Sequence, residues 1–198
     1  MSFFYFFELL GTLVFALSGA ELGLKKRMDI FGVIVLAFAT AIGGGSLRDA
    51  LLGIAPVSWT RDVYGILAIL AGSLLCYFFR NKLASWQKII FLLDSIGLAL
   101  FTIVGIEKAL SVGTNHLVAL IMGVMTAAFG GLIRDVLANE IPVVLQKEVY
   151  ATAALTGGIF SLFCRFCSLQ EEINVFLTCS IILGIRYLAV KNQWSLPR

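Results

Sequence analysis

The sequence predicts an all-α integral membrane protein, with seven transmembrane helices arranged as two inverted three-helix repeats followed by a C-terminal seventh helix. Three observations lead to this prediction: an apolar composition, seven apolar windows long enough to cross a bilayer, and an internal repeat of glycine and charged residues. The repeat places an Arg-Asp pair in the second window and another in the fifth. Both the fold class and the candidate functional residues depend on this duplication.

The composition indicates that lipid is the solvent. Hydrophobic residues make up 60% of the chain and charged residues 14%, with a mean hydropathy of +0.96. A soluble domain carries about a quarter charged residues, and its core could not bury this much apolar surface. The first window lacks a basic start, carries Glu8 and ends just before Lys25, which is typical of a spanning helix rather than a cleaved signal peptide.

Seven windows of about twenty mostly apolar residues are candidate transmembrane helices. The connections between them are short, so the whole chain, residues 1–198, is predicted to be a single transmembrane domain. The windows cover residues 3–24, 30–53, 62–79, 89–110, 116–138, 148–166 and 172–190.

The basic residues predict the orientation of these helices. If the N-terminus lies outside, ten lysines and arginines flank the inner ends of the windows and three flank the outer ends. Positive charge concentrates on the cytoplasmic side of membrane proteins, so the N-terminus is predicted outside and the C-terminus in the cytoplasm. The inner residues are Lys25, Lys26, Arg27, Arg80, Lys82, Lys88, Lys147, Arg186, Lys191 and Arg198, and the outer residues are Arg61, Lys108 and Arg165.

A shift of 86 residues aligns the first half of the chain with the second without a gap, bringing AIGGGSLRDALLG at 41–53 onto AAFGGLIRDVLAN at 127–139. Each unit contains three windows, an odd number, so the second copy is predicted to insert upside down. Repeat 1 covers about residues 1–82, repeat 2 about 87–167 and the seventh helix about 172–190. The other matching pairs include Gly11 and Gly97, Phe15 and Phe101, Gly19 and Gly105, Glu21 and Glu107, Thr40 and Thr126, Pro56 and Pro142, Tyr64 and Tyr150, and Gly72 and Gly158.

The second and fifth windows form the predicted transport pathway. Because glycine lacks a side chain, these helices are expected to bend or open at their glycines, and the freed carbonyl groups would line a cavity for water or a cation. Interrupted helices in inverted repeats commonly form such pathways. Close packing of helix backbones is the structural alternative. The candidate residues are Thr40, Gly43, Gly44, Gly45, Ser46, Arg48, Asp49, Thr126, Gly130, Gly131, Arg134 and Asp135.

The duplicated Arg-Asp pairs are costly at this depth. Each charged residue costs about 2.5–3.5 kcal/mol at the centre of an isolated membrane helix. Adjacent side chains on a helix point about 100° apart, so pairing across the repeats is expected, Arg48 with Asp135 and Arg134 with Asp49. The alternative is that the charges only lock the bundle together. Their duplication alongside the glycines favours a pathway.

Four further acids are candidate vestibule residues: Glu8, Glu21, Asp94 and Glu107. Glu8 and Asp94 match each other in the repeat and are expected to attract ions. Glu21 and Glu107 lie near the ends of the first and fourth windows, so a solvated helix end explains them equally well.

An enzyme is not expected. The sequence has neither a G-x-S-x-G nor an H-E-x-x-H motif, and its single histidine cannot build a triad or a zinc site. No cofactor and no structural metal are predicted. Because the basic residues flank the windows, no nucleic-acid partner is expected either.

The stretches GGGSLRDALLG at 43–53 and FGGLIRDVLANEIP at 129–142, set in a plan of three, three and one helices, resemble prokaryotic members of the trimeric intracellular cation (TRIC) channel family. The resemblance covers essentially all seven windows. It implies a homotrimer in a prokaryotic inner (plasma) membrane, in contact with membrane lipids. Each subunit would enclose its own pore for monovalent cations, mainly potassium, with sodium as a further candidate.

Two points qualify what the resemblance implies. Phe129 stands where the first repeat has Gly43, which predicts a stiffer second kink. Related bacterial sequences are also described as glycine transporters, so the alternative function is secondary transport of a small zwitterion such as glycine. The Arg-Asp pairs could bind the two charged ends of such a molecule.

Overall fold

The computed structural model describes residues 3–79, 87–146, 149–192 and 194, with only the backbone of residues 87–90. These residues form eight α-helices and no strand. The helices are α1 Phe3–Lys25, α2 Ile30–Leu51, α3 Val63–Phe78, α4 Gln87–Ser111, α5 His116–Leu137, α6 Val143–Gln146, α7 Ala151–Phe166 and α8 Glu171–Lys191.

Each predicted window coincides with a helix to within a few residues, and the additional helix, α6, is one turn inside a predicted connection. Helices α1, α2, α5 and α8 are long and apolar enough to cross a membrane. Several basic residues used to predict the orientation lie outside the described residues: Arg80, Lys82, Lys147, Arg198 and the side chain of Lys88.

The starts of α2 and α5 are built alike. Asp29 caps α2, where its Oδ1 accepts a hydrogen bond from the Gly32 amide at 2.7 Å, and Asn115 caps α5 by accepting from the Val118 amide at 2.9 Å. A side-chain oxygen at this position satisfies one of the amides left free at a helix start. Asp29 and Asn115 are 86 residues apart. The local structure therefore follows the sequence repeat.

The ends of α2 and α5 are also alike. Gly53 follows α2 with φ +70°, and Asn139 follows α5 with φ +54°. A residue in the left-handed region ends a helix and lets later amides bond back to its last carbonyls. Here the amide of Ile54 donates to the Asp49 carbonyl, and that of Glu140 to the Asp135 carbonyl, each at 2.8 Å. Each Arg-Asp pair is thereby held in the last turn of its helix.

Helices α1, α2, α4 and α5 form the centre of the bundle, and α3 packs on α1 and α2. Helix α7 packs on α4 and α5, and α8 packs on α4 and α7. At the centre, the rings of Phe15 and Phe101 lie 5.0 Å apart, and both side chains are buried. Seventeen buried side chains, many of them alanine, form the surrounding core and allow the helices to approach closely.

The glycines of α2 and α5 do not interrupt these helices, so the predicted break is wrong: both helices continue without a gap through their glycines. Their role is close approach. A Cβ on Gly44 would overlap the carbonyl oxygen of Thr126, and one on Gly130 would lie 2.5 Å from that of Thr40. Gly44 of α2 contacts Thr126 of α5, whereas Thr40, earlier on α2, contacts Gly130, later on α5. The two helices therefore run antiparallel where they cross.

Candidate functional site

The first charge site, defined as Arg48, Asp49 and Glu8, lies at the end of α2. The Nε and Nη2 groups of Arg48 donate to Oδ1 of Asp49 at 2.9 and 2.8 Å. Oδ2 of Asp49 accepts from the Ser58 amide at 2.7 Å, which ties the following loop to the helix. Arg48 and Asp49 are each 1% exposed. Glu8 of α1 approaches from the side, with Oε1 3.9 Å from Nη2 of Arg48.

The second charge site, defined as Arg134, Asp135 and Asp94, lies at the end of α5. Nε of Arg134 donates to Oδ1 of Asp135 at 2.8 Å, and Oδ2 of Asp135 accepts from the Val143 amide at 2.9 Å. Nη1 of Arg134 donates to Oδ1 of Asp94 at 3.0 Å and to the hydroxyl of Ser18 at 2.5 Å. Nη2 of Arg134 lies 2.8 Å from Oδ1 of Asp135, so each of the three guanidinium nitrogens contacts an oxygen of the protein.

The predicted pairing across the repeats is wrong: Arg48 bonds Asp49 and Arg134 bonds Asp135. Two physical reasons account for this. The arginine side chain is long enough to wrap around its own helix and reach the next residue sideways. Because α2 and α5 cross antiparallel, residues beyond the crossing move apart along the two helices by about 1.5 Å per residue on each. The two charge sites therefore lie toward opposite ends of the bundle.

Arg186 of α8 covers the second charge site. Its Nη2 donates to Oδ2 of Asp94 at 3.1 Å, and its Nε donates to the Ser95 hydroxyl at 3.2 Å. Its guanidinium carbon lies 4.5 Å from the centre of the Tyr150 ring and 4.8 Å from that of Phe91, as in cation–π contacts. The sequence predicts Arg186 only as a charge flanking the seventh window, so this role was not predicted. A basic residue within an apolar window was the available signal.

The first charge site opens instead on a cavity of about 200 Å³. Two buried polar atoms at this site, Nη1 of Arg48 and Oγ of Ser46, have no hydrogen-bond partner among the described residues. The first site thus retains hydrogen-bonding capacity that the second site has used. The other polar residues that line the cavity are Tyr5, Glu8, Thr12, Asp49, Ser58, Trp59, Asp62 and Lys108.

The remaining pathway candidates do not share this cavity. Thr40 and Thr126 are buried at the helix crossing, and each hydroxyl donates to the carbonyl four residues earlier at 2.6 Å. A Cβ on Gly43 would contact Ile133, and one on Gly131 would lie 3.2 Å from the Tyr150 hydroxyl. Of the candidates, only Gly45, Ser46, Arg48 and Asp49 line the polar cavity.

The other predicted vestibule acids are placed inside α1 and α4. Oε1 of Glu107 accepts from Nη1 of Arg165 at 2.6 Å. Glu21 is 9% exposed, and its Oε2 has no partner within the described part of the chain. The repeat places Phe79 where the second copy has Arg165, so Glu21 lacks the matching cation. A solvated helix end therefore does not explain Glu21.

Glu140, in the loop after α5, contacts Lys26 after α1, with Oε1 2.6 Å from Nζ. The hydrogen bond and positive charge of Lys26 lower the pKa of the Glu140 carboxyl below its ordinary value. Both side chains are partly exposed, so this ion pair joins two loops at the surface. In the described ranges, no group of three or more His, Cys, Asp or Glu side chains could hold a metal ion.

Contacts at the centre of the bundle and at the two charge sites recur with the 86-residue shift of the sequence. Some of these contacts join the two halves, and the others join neighbouring helices within one half. Each contact has an equivalent 86 residues away, as expected when two copies pack about a shared axis. The recurring contacts are Gly11 with Phe101 and Gly97 with Phe15, Gly19 with Thr40 and Gly105 with Thr126, Gly44 with Thr126 and Gly130 with Thr40, and Glu8 with Arg48 and Asp94 with Arg134.

Comparison with known proteins identifies relatives along the whole chain. The sequence model of the family described as Glycine transporter matches residues 5–81 and 91–165. A UPF0126 membrane protein of Vibrio cholerae is 49% identical over 99% of this chain and 82% of its own length. The UPF0126 inner membrane protein YadS of Escherichia coli is 39% identical over 98% of this chain and 94% of its own length.

Solved structures show the same fold. A TRIC cation channel matches with a TM-score of 0.87 at 36% identity, over 100% of this chain and 97% of that chain. A TRIC trimeric intracellular cation channel orthologue from Rhodobacter sphaeroides matches with a TM-score of 0.93 at 32% identity, over 98% of this chain and 100% of that chain. The chain therefore belongs to the Glycine transporter (UPF0126) family of membrane proteins, and its fold is that of the TRIC cation channels.

Proposed function

We propose that the protein is a potassium-permeable channel for monovalent cations that works as a homotrimer with one pore in each subunit. The observation that carries this proposal is the first charge site, which opens on a polar cavity beside the crossing of α2 and α5. The shared fold with TRIC cation channels supports it. The proposed function requires no cofactor and no enzymatic step.

The proposed path begins in the cavity of the first charge site. Three acids line the cavity. Asp49 is paired with Arg48, and Asp62 accepts hydrogen bonds from Tyr5 and Gly65, so Glu8 is the acid best placed to attract a cation there. From the cavity the path runs beside the crossing of α2 and α5, past Phe15 and Phe101, toward the second charge site. The rings of Phe15 and Phe101 and the bonds between Arg186 and Asp94 close this route in the present conformation. Conduction would require both closures to open.

The proposed topology has repeat 1 and repeat 2 inserted in opposite orientations, with α8 as the additional seventh membrane helix. The antiparallel crossing of α2 and α5 and the recurring contacts support this arrangement. With the N-terminus outside, the first charge site faces the exterior of the inner membrane and the second faces the cytoplasm.

A carrier for a small zwitterion such as glycine is the second candidate function. Both the family description and the mixture of donors and acceptors in the cavity favour it. A carrier must close one end of its path at a time. Closure at the second charge site together with an open first charge site is compatible with that cycle.

Recording from purified protein in planar bilayers under a potassium gradient, with glycine uptake measured in parallel liposomes, tests the two candidates. A channel gives discrete currents whose reversal potential follows the potassium gradient. Glu8→Gln is expected to reduce the current, whereas Glu172→Gln, at the exposed start of α8, is the control. Saturable glycine uptake without potassium current would overturn the channel in favour of the carrier.

A further inference from the structure

Glu21 of α1 is a buried carboxylate whose second oxygen has no partner. The residue is 9% exposed, and its Oε2 accepts no hydrogen bond within the described part of the chain. Burying a charged group in this way is costly unless an opposite charge or a donor accompanies it. The basic groups whose charge reaches Glu21 are Lys25, exposed one turn further along α1, and Arg134, already bonded to Asp94 and Asp135. The carboxylate therefore remains available to a cation from solution.

The second repeat shows which partner Glu21 lacks. Glu107, 86 residues later, lies in α4, and its Oε1 accepts a hydrogen bond from Nη1 of Arg165 at 2.6 Å. The same shift places Phe79 at the position of Arg165. Phe79 is 50% exposed, and its side chain carries neither a charge nor a hydrogen-bond donor. Of two equivalent acids, one is thus neutralised by the protein and the other is not.

Glu21 lies just beyond the second charge site along α1. The hydroxyl of Ser18, three residues earlier, accepts a hydrogen bond from Nη1 of Arg134. Residues three apart are neighbours on a helix surface, so Glu21 lies about one turn past this bond. Glu8, beside the first charge site, precedes Glu21 by thirteen residues, which corresponds to about 20 Å along the helix axis. Helix α1 therefore carries one acid at each end of the proposed path.

The charges along the path indicate what an acid at this position does. The lining of the first cavity contains one more acid than basic residues: Glu8, Asp49 and Asp62 against Arg48 and Lys108. At the second charge site, Arg134 and Arg186 balance the two aspartates that they contact. Glu140, in the loop after α5, is paired with Lys26. A cation at this end would therefore pass two guanidinium groups without an excess of negative charge, unless Glu21 supplies it.

We propose that Glu21 selects cations over anions at the end of the path beyond the second charge site, by binding the permeating ion. The inference rests on the proposed function, because it requires a cation path that reaches this end. The ion takes the place beside Glu21 that Arg165 fills beside Glu107. A single carboxylate suits a conducted ion, since that ion must bind and also leave. With the N-terminus outside, this selection acts at the cytoplasmic end.

Phe79→Arg tests the proposal because it gives Glu21 the kind of partner that Glu107 has. The guanidinium group is expected to pair with the carboxylate and to take the place of the ion. Phe79→Met removes the same ring without adding a charge and is the matched control. Reversal potentials of purified protein in planar bilayers, under a gradient of potassium chloride, give the permeability ratio of potassium to chloride. The ratio should fall about fivefold in Phe79→Arg and in Glu21→Gln, the effect of one charge about 4 Å from an ion in water, and stay within about twofold of wild type in Phe79→Met.

Glu21→Asp separates a charge role from a packing role, because it keeps the carboxylate and shortens the side chain. Its permeability ratio should stay near that of wild type, whereas a packing role would place it with Glu21→Gln. An unchanged ratio in Phe79→Arg, or equal losses in the two Phe79 variants, would overturn the proposal. If Glu21→Gln does not fold, the Phe79 variants decide, since Phe79 is half exposed. A wild type that prefers potassium to chloride, with unchanged variants, contradicts this inference alone, whereas a wild type without potassium current contradicts the proposed function as well.

Discussion

The two charge sites begin with the same local structure and end with different surroundings. In each, an arginine bonds the aspartate that follows it, and that aspartate accepts from an amide of the next segment. The second charge site then adds Ser18, Asp94 and Arg186, which use the remaining groups of Arg134 and both oxygens of Asp94. Among the described residues, the first charge site adds only Glu8, 3.9 Å from Arg48, and a cavity.

A duplicated motif therefore determines its own hydrogen bonds but not whether a ligand can reach it. Availability depends on residues outside the motif. A single change, Ser18 in one copy against Val104 in the other, removes an acceptor. A helix outside the repeat, α8, supplies a cation to the second charge site. Nearly symmetric halves can in this way form an open end and a closed end.

Substitutions at the second charge site are expected to reduce the stability of the protein most. Arg134→Met leaves Asp94, Asp135 and Ser18 without their shared donor, and breaking a buried ion pair in this way costs about 3–5 kcal/mol. Arg48→Met is expected to cost less, because Arg48 has one bonded acid. Denaturation of the purified variants, with the exposed Arg165→Met as control, measures the difference. A larger loss in Arg48→Met than in Arg134→Met would contradict the comparison.

Substitution of either glycine at the crossing of α2 and α5 is expected to reduce the stability of the protein. Gly44→Ala and Gly130→Ala each press a methyl group onto a backbone carbonyl of the facing helix. Overpacking of this kind costs about 1–3 kcal/mol. Gly45→Ala is the control, since its Cβ would lie 3.7 Å from Nη2 of Arg48. Thermal stability in detergent should fall in the first two variants only, and normal stability in either would show that the helices do not cross this closely.

Double-mutant cycles separate pairing within a repeat from pairing across it. Arg48 and Asp49 touch, so their combined substitution by alanine should be non-additive by about 0.5–3 kcal/mol. Arg48 and Asp135 belong to opposite ends, so their effects should add to within about 0.3–0.5 kcal/mol. Free energies of unfolding for the single and double variants give both values. Strong coupling between Arg48 and Asp135 would support an ion pair across the repeats, which the structure contradicts.

The smallest expected effect concerns pH. The pKa of Glu140 is lowered in the folded protein by Lys26, so the ion pair contributes stability above the unfolded-state pKa and loses it as the pH falls through the folded-state value. The melting temperatures of wild type and Glu140→Gln should differ slightly at about pH 7 and converge toward about pH 2. A difference that grows on acidification would have the wrong sign.

The positions of the helices could be predicted from sequence because they depend on local patterns. Apolar windows gave the helices, and the caps Asp29 and Asn115 follow the same shift as the motifs. The partner of each arginine could not be predicted, since it depends on the antiparallel crossing rather than on the spacing of Arg48 and Asp49. The role of Arg186 was also missed, because α8 has no second copy to draw attention to it.

The uninterrupted helices α2 and α5 show that the role of a glycine cannot be read from its position in the sequence. In the sequence, Gly44 and Gly130 are equally compatible with a bent helix and with a close contact. Only the position of the facing backbone decides between them, and here the carbonyls of Thr126 and Thr40 occupy the space that a side chain would need. The local sequence does not determine long-range packing of this kind.

In the proposed channel, cations follow a path that is open at the first charge site and closed by the rings of Phe15 and Phe101 at the centre and by Arg186 at the second charge site. Potassium current through Arg186→Met in planar bilayers tests it most directly, with Arg165→Met, which breaks the Glu107 ion pair, as the matched control. Removing the guanidinium group takes away the donor to Oδ2 of Asp94 and opens space at the second charge site. Open probability is expected to rise severalfold in Arg186→Met and to stay at the wild-type level in Arg165→Met. A folded Arg186→Met protein whose current equals or falls below that of wild type would show that Arg186 does not close the path.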